Sequence, residues 1–149
     1  MDRISIRRID TMDKVEWDRL CAESRAEDLR FLTRLEREYA IGENTSGEQG
    51  EALFGACLED GTLIAVGGIT KDSYSDIEET GRIRRFYVSA DYRQYGVGAR
   101  LLAEMIRYAE SYYEWLVLFA DTERASRFYM AHGFLESADY PFATHFMKI

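Results

Sequence analysis

The sequence predicts a mixed α/β (α+β) domain, and three features carry that expectation. Residues 82–88, Arg-Ile-Arg-Arg-Phe-Tyr-Val, are rich in aromatic and branched side chains and run into the turn-prone Ser89-Ala90-Asp91, the pattern of a strand. Beyond Gly96 and Gly98, the residues Leu101, Leu102, Met105, Ile106, Ala109, Tyr112 and Tyr113 recur at three- and four-residue spacing and draw one buried helix face. Upstream, the apolar runs Ala52–Leu58 and Leu63–Thr70 flank Glu59-Asp60-Gly61 and read as a hairpin.

The remaining elements fall in order around these. Arg3–Ile9 alternates as a first strand, and Thr11 or Asp13 caps a helix that starts near Lys14 and buries Trp17, Leu20 and Cys21. A second helical pattern carries Leu29, Leu32, Leu35 and Tyr39. Ile41–Gly50 is polar and glycine-punctuated, hence a loop, and Asp72–Gly81 is a second polar connection. After the strand at 82–88 come a helix from about Gly98 to Tyr113, a strand Trp115–Ala120 and a helix from about Thr122 to Ala131. Short strands near Phe134–Glu136 and His145–Lys148 close the chain.

No repeat, low-complexity tract or linker divides residues 1–149, which read as one domain. A chain of this size removes roughly 70% of its unfolded surface from water, enough for its own core. With 46% hydrophobic and 31% charged residues and a single proline, neither disorder nor a fibrous repeat fits. The apolar runs fall short of the ~20 residues a bilayer span needs, and Met1-Asp-Arg-Ile-Ser lacks a signal-type apolar region, so the expected location is cytoplasmic, without membrane partners. Cys21 and Cys57 show no metal-type spacing and read as buried free thiols; no metal site is expected.

Charge is unevenly spread. The net charge is −8, yet residues 82–100 hold five arginines against Asp91 alone. An acidic chain is a poor match for nucleic acid, which requires a basic face to release counterions. A locally basic loop still suits a small polyanion, because exposed charges elsewhere are screened beyond ~8 Å while loop amides act at contact.

Arg93-Gln94-Tyr95-Gly96-Val97-Gly98-Ala99-Arg100 is the segment that carries this chemistry. Glycines here allow positive φ and close backbone approach, so that amides converge on phosphate oxygens at the positive end of a helix, with Arg93 and Arg100 as added cations. A Gly-x-Gly alone is equally a turn that starts a helix. A dinucleotide fingerprint fails for want of the third glycine, since Leu101 stands there, and a Walker loop fails because Gly98 is followed by Ala99-Arg100.

Arg93-x-x-Gly96-x-Gly98, between a strand and a helix, resembles the cofactor loop of the GNAT superfamily of acyl-CoA-dependent N-acetyltransferases. Thr122-Glu-Arg-Ala-Ser-Arg-Phe-Tyr129-Met-Ala-His-Gly133-Phe134 is similar to that family's tyrosine-bearing helix closed by Gly-Phe. The resemblance implies a three-layer fold, a mixed and mostly antiparallel sheet with helices on both faces, splayed between its fourth and fifth strands. It further implies that acetyl-CoA enters the splay and pairs with Phe86, Tyr87 and Val88, a form of β-augmentation. Gln94, Tyr95, Val97 and Ala99 belong to the same cofactor loop, and Thr122 stands where relatives carry Asn.

The implied reaction is direct acetyl transfer from acetyl-CoA to a primary amine, with Tyr129 protonating the departing thiolate and a backbone N–H near Phe86 facing the thioester oxygen. Relatives often place a carboxylate near position 82, where this chain has Arg82, so no base carries over; Glu78, Glu79 and His145 are the local candidates. His145 reads equally as a structural histidine, and His132 as a donor at a helix C-terminus. Residues 40–80 hold nine acids and one base, Lys71, which suits a cationic acceptor and equally a solvated acidic surface. The competing class is a noncatalytic acyl-CoA-binding or sensing module on the same fold. Exposed strand edges leave room for a homodimer.

Overall fold

The computed structural model describes residues 3–9, 14–26, 50–72, 74 and 79–149. Seven strands form one sheet: β1 (Ile4–Arg8), β2 (Ala52–Leu58), β3 (Leu63–Lys71), β4 (Thr80–Val88), β5 (Trp115–Leu118), β6 (Leu135–Glu136) and β7 (His145–Lys148). Their order is β1-β2-β3-β4-β5-β7-β6, with β4 and β5 parallel and every other pair antiparallel. Three described helices are α1 (Lys14–Ala26), α2 (Val97–Ala109) and α3 (Glu123–Ala131), and a 3₁₀ segment (Ala90–Tyr95) leads into α2. The expected mixed sheet and the expected hairpin are both present. The proposed caps Thr11 and Asp13, and the helical pattern from Leu29 to Tyr39, lie outside the described residues.

Alternation along the strands builds a core on each face of the sheet. Leu53 and Cys57 of β2 and Leu63 and Val66 of β3 pack with Trp17, Leu20 and Cys21 of α1. Ala52, Phe54, Ala56 and Leu58, on the other side of β2, join Leu101, Leu102 and Met105 of α2 and Tyr129 of α3. Both cysteines are buried free thiols. No described helix is long and apolar enough to cross a membrane.

Two departures from regular pairing shape the sheet around β4. Between the Val66–Tyr87 and Gly68–Arg84 pairs, β4 carries one residue more than β3. Arg85 takes up that excess at φ 55°, a bulge that bends the strand and re-aims its last residues, Phe86 to Val88. Phe86 packs over Gly67, where a Cβ would stand 2.9 Å from its ring and 2.7 Å from Met105 Sδ.

The second departure is that β4 and β5 pair only through Thr80–Trp115, Gly81–Leu116 and Arg82–Val117. Past that point Leu118 O accepts from Thr144 N and Ala120 N donates to Thr144 Oγ1, both at 2.9 Å, so the backbone after β5 stays with β7 and leaves β4. The sheet opens into a wedge.

Candidate active site

The glycine loop that leads into α2 is held from below. Glu23 of α1 accepts from Ser89 Oγ at 2.9 Å and from Ala90 N at 2.7 Å, closing the start of the 3₁₀ segment although it lies 66 residues away from Ser89 in sequence. Gly96 then adopts φ 76°, the left-handed turn that glycine takes without strain, and α2 begins at once. The first amides of a helix have no carbonyl acceptor within it, and no side chain caps these. Gly98, in the first turn, is small for a visible reason: a Cβ there would sit 3.3 Å from both Val88 Cγ2 and Phe128 Cζ.

Arg93 is ordered at this rim, its Nε donating to Val88 O at 2.9 Å and its guanidinium lying 5.4 Å from the Tyr87 ring centroid. Arg100 is turned elsewhere, donating to Ile4 O of β1 at 3.1 Å.

From the other side of the wedge, α3 contributes its tyrosine. Thr122 caps the helix, its Oγ1 accepting from Ala125 N at 3.1 Å. Gly133 at φ 102° ends it, and Phe134 N bonds back to Tyr129 O at 3.1 Å, which seats the Phe134 ring beneath Tyr129. Tyr129 is 6% exposed and sits edge-on to Phe86, with ring centroids 5.9 Å apart. Burial, with the Asp121 carboxylate adding to it, pushes the phenol well above its ordinary value, so it stays protonated.

Two cavities fill the wedge. The first, about 380 Å³, is lined by Phe86, Tyr87, Val88, Arg93, Gly96, Gly98 and Ala99 from one wall and by Asp121, Thr122, Arg124, Ala125, Phe128, Tyr129 and His132 from the other. The second, about 320 Å³, runs along β4 past Arg82, Ile83, Arg84 and Arg85 and along the end of β5 past Leu118, Phe119 and Ala120. Phe86, Asp121, Ala125 and Tyr129 line both. The two cavities adjoin at these residues.

Of the residues expected from sequence, Phe86, Tyr87, Val88, Arg93, Gly96, Gly98, Ala99, Thr122 and Tyr129 come together here. Gln94 and Tyr95 are exposed outside the cavity, and Val97 is buried in the α2 core. Glu79 is exposed just before β4, seven positions from Phe86, and lines neither cavity; at ~3.3 Å per strand residue it stands at the far end of the strand. Glu78 lies outside the described residues. His145 is buried with both ring nitrogens engaged, Nδ1 with Thr144 Oγ1 at 2.7 Å and Nε2 with Ser126 Oγ at 3.0 Å, which is a structural role.

Asp121, Arg124, Phe128 and His132 were not anticipated as cavity residues. Their signal was available: 125, 128, 129 and 132 share one face of a helix with the tyrosine, and Asp121 precedes its cap. His132 lines the first cavity and stacks on Phe128 at 4.7 Å between centroids, and its Nδ1 is buried without a hydrogen-bond partner among the described residues.

A wedge between parallel strands, a glycine turn at a helix start and a buried tyrosine opposite it match the arrangement that the sequence resemblance implies for an acyl-CoA-using acyltransferase. The comparisons agree: the model of the acetyltransferase (GNAT) family matches residues 12–134, and the chain belongs to that family. A structure assigned as an acetyltransferase from Exiguobacterium sp. 255-15 shares 32% identity over 98% of this chain and 93% of its own, with a TM-score of 0.85. A GNAT-family acetyltransferase from Streptococcus pneumoniae superposes at TM-score 0.74 with 20% identity, over 99% of this chain and 100% of its own. An acetyltransferase from Streptococcus agalactiae 2603 does so at 0.76 with 16% identity, over 98% of each chain. No protein of curated function matches the sequence.

Proposed function

We propose that the protein is an N-acetyltransferase that moves the acetyl group of acetyl-CoA directly to a primary amine. The observation that carries the reading is the junction of the two cavities at Phe86 and Tyr129, because direct transfer requires two substrates to meet at one proton donor in a place shielded from water. The first cavity suits the cosubstrate: uncapped amides at the start of α2 and Arg93 and Arg124 at the rim for pyrophosphate, the unpaired stretch of β4 for an extended arm, and apolar Phe86 and Phe128 near the reacting end.

When bound, acetyl-CoA supplies an acyl group activated as a thioester. The new C–N bond forms as the C–S bond breaks, the amine loses a proton, and the sulfur gains one. Tyr129, buried and lining both cavities, gives that proton. Its phenol is a weaker acid than usual, but the same dry surroundings raise the basicity of a thiolate, which keeps donor and acceptor matched. Asp121, the carboxylate shared by both cavities, takes the role that the sequence suggested for Glu78 and Glu79: it receives the amine proton directly or through water.

The test is thiol release from acetyl-CoA across a panel of amines, with product mass confirming an added acetyl group. Turnover with at least one amine supports the reading. Tight acetyl-CoA binding with no turnover on any amine overturns it in favour of a sensing module.

A further inference from the structure

The second cavity has a charge opposite to that of the chain as a whole. Three arginines, 82, 84 and 85, line it against one carboxylate, Asp121, in a protein of net charge −8. Arg82 is already committed: it is 4% exposed, its Nε donates to Asp72 Oδ1 at 2.9 Å, and its terminal nitrogens donate to Phe142 O and Pro141 O at 2.8 and 3.0 Å. Arg84 is different. Its Nε donates to Thr70 Oγ1 at 2.9 Å and its guanidinium lies 5.8 Å from the Tyr74 ring centroid, so the group is oriented. Among the described residues no carboxylate pairs with it, and its terminal nitrogens donate to none of them. A half-buried, aimed fork of N–H donors beside a cavity is the arrangement that recognises a planar oxyanion.

We infer that the acceptor is a small amine that also carries a carboxylate or an equivalent oxyanion, held by Arg84 while its amine reaches Tyr129. The inference rests on the acetyl-transfer reading. Arg84 and Tyr129 line the same cavity, so one small molecule can set its carboxylate on Arg84 and its nitrogen at the cavity junction. The acids of residues 40–80 that prompted the expectation of a cationic acceptor do not line either cavity where they are described, and Asp72 among them is neutralised by Arg82. A polyamine in this cavity faces arginines at close range.

The experiment compares matched acceptors by thiol release from acetyl-CoA: amino acids, their carboxamides and the amines left by removing the carboxylate, together with phosphoethanolamine against ethanolamine and with spermidine. The oxyanion-bearing member of a pair is expected to have the higher kcat/KM, by roughly 10- to 100-fold, the worth of a charge-assisted hydrogen bond. Carboxylate and phosphate arms separate the two kinds of oxyanion. Arg84→Gln is expected to raise KM for the oxyanion-bearing acceptor by a similar factor, to leave acetyl-CoA affinity unchanged, and to erase the preference over the carboxamide; Arg84→Lys restores part of it. A preference for spermidine or for carboxamides, or an Arg84→Gln loss equal on both members of a pair, overturns the inference while acetyl transfer stands. Acetyl-CoA binding without turnover on any amine overturns the transfer reading itself.

Discussion

Arg82 and Asp72 form a buried ion pair, Nε to Oδ1 at 2.9 Å, with side chains 5% and 0% exposed, and through it the loop at Pro141-Phe142 is fastened to β4. The position where the sequence resemblance implies a carboxylate is thus used here to fix the wall of the second cavity. Arg82 also lies 5.0 Å from the Tyr74 ring centroid, which stacks on Phe142 at 4.8 Å, so the pair sits under this aromatic contact as well. Removing one member of such a pair strands the other charge away from water. Asp72→Asn is expected to cost roughly 3–5 kcal/mol in urea unfolding, against much less for an exposed pair such as Arg107–Glu104.

Tyr129→Phe removes the hydroxyl and keeps the ring that packs on Phe86, Phe128 and Phe134. Turnover at saturating substrate is expected to fall roughly 100-fold or more, the usual contribution of a general acid, with acetyl-CoA affinity and thermal midpoint near wild type. Because burial holds the phenol above its ordinary value of 10.0, deprotonation of Tyr129 causes no loss of kcat between pH 7 and 10. An unchanged rate in Tyr129→Phe removes the assignment.

Much of this site was legible because its parts are local. Gly96 declares its own left-handed turn, the apolar stripe of α2 declares a helix behind it, and Gly133-Phe134 marks the end of the tyrosine helix. The features that escaped the sequence depend on distance in the chain. The Asp72–Arg82 pair, the reach of Glu23 to Ser89 and the divergence of β5 toward Thr144 each join segments that nothing in their own composition connects. Glu79 shows the converse: a carboxylate near β4 in sequence stands exposed just before the strand, seven positions from Phe86, and lines neither cavity.

Gly98 keeps the first cavity open by what it lacks. A Cβ there presses on Val88 and Phe128 at 3.3 Å, so Gly98→Val drives two branches between β4 and α3. Overpacking of this kind costs roughly 1–3 kcal/mol, and here it falls on the walls of the cavity. Calorimetric titration with coenzyme A is expected to show affinity lowered by about tenfold or more, the equivalent of ~1.4 kcal/mol. Gly96→Ala differs, since nothing stands within 4 Å of a Cβ there; its cost is the left-handed backbone alone, about 1 kcal/mol of stability with the cleft left open. Equal affinity for coenzyme A in wild type and Gly98→Val contradicts the placement.

Alkaline stability gives an independent check on the frame behind the site. Tyr113 packs against Gly81 at the start of β4, where a Cβ would lie 2.6 Å from its ring, and its hydroxyl donates to Gly50 O at 2.6 Å. Burial, with Glu51 and Tyr108 adding to it, pushes its pKa from 10.0 to about 12. The folded state therefore favours the neutral phenol more than the unfolded chain does. Its contribution is fully present below pH 10 and is lost as pH rises from 10 toward 12, where the unfolded chain has already released the proton. Tyr129 is shifted in the same direction and adds to the slope. Urea midpoints are expected to hold steady from pH 8 to 9.5 and then decline, and Tyr113→Phe, less stable at pH 8 for loss of the bond to Gly50, is expected to decline more gently. A wild-type midpoint that stays level through pH 11.5 contradicts the buried, hydrogen-bonded placement of Tyr113.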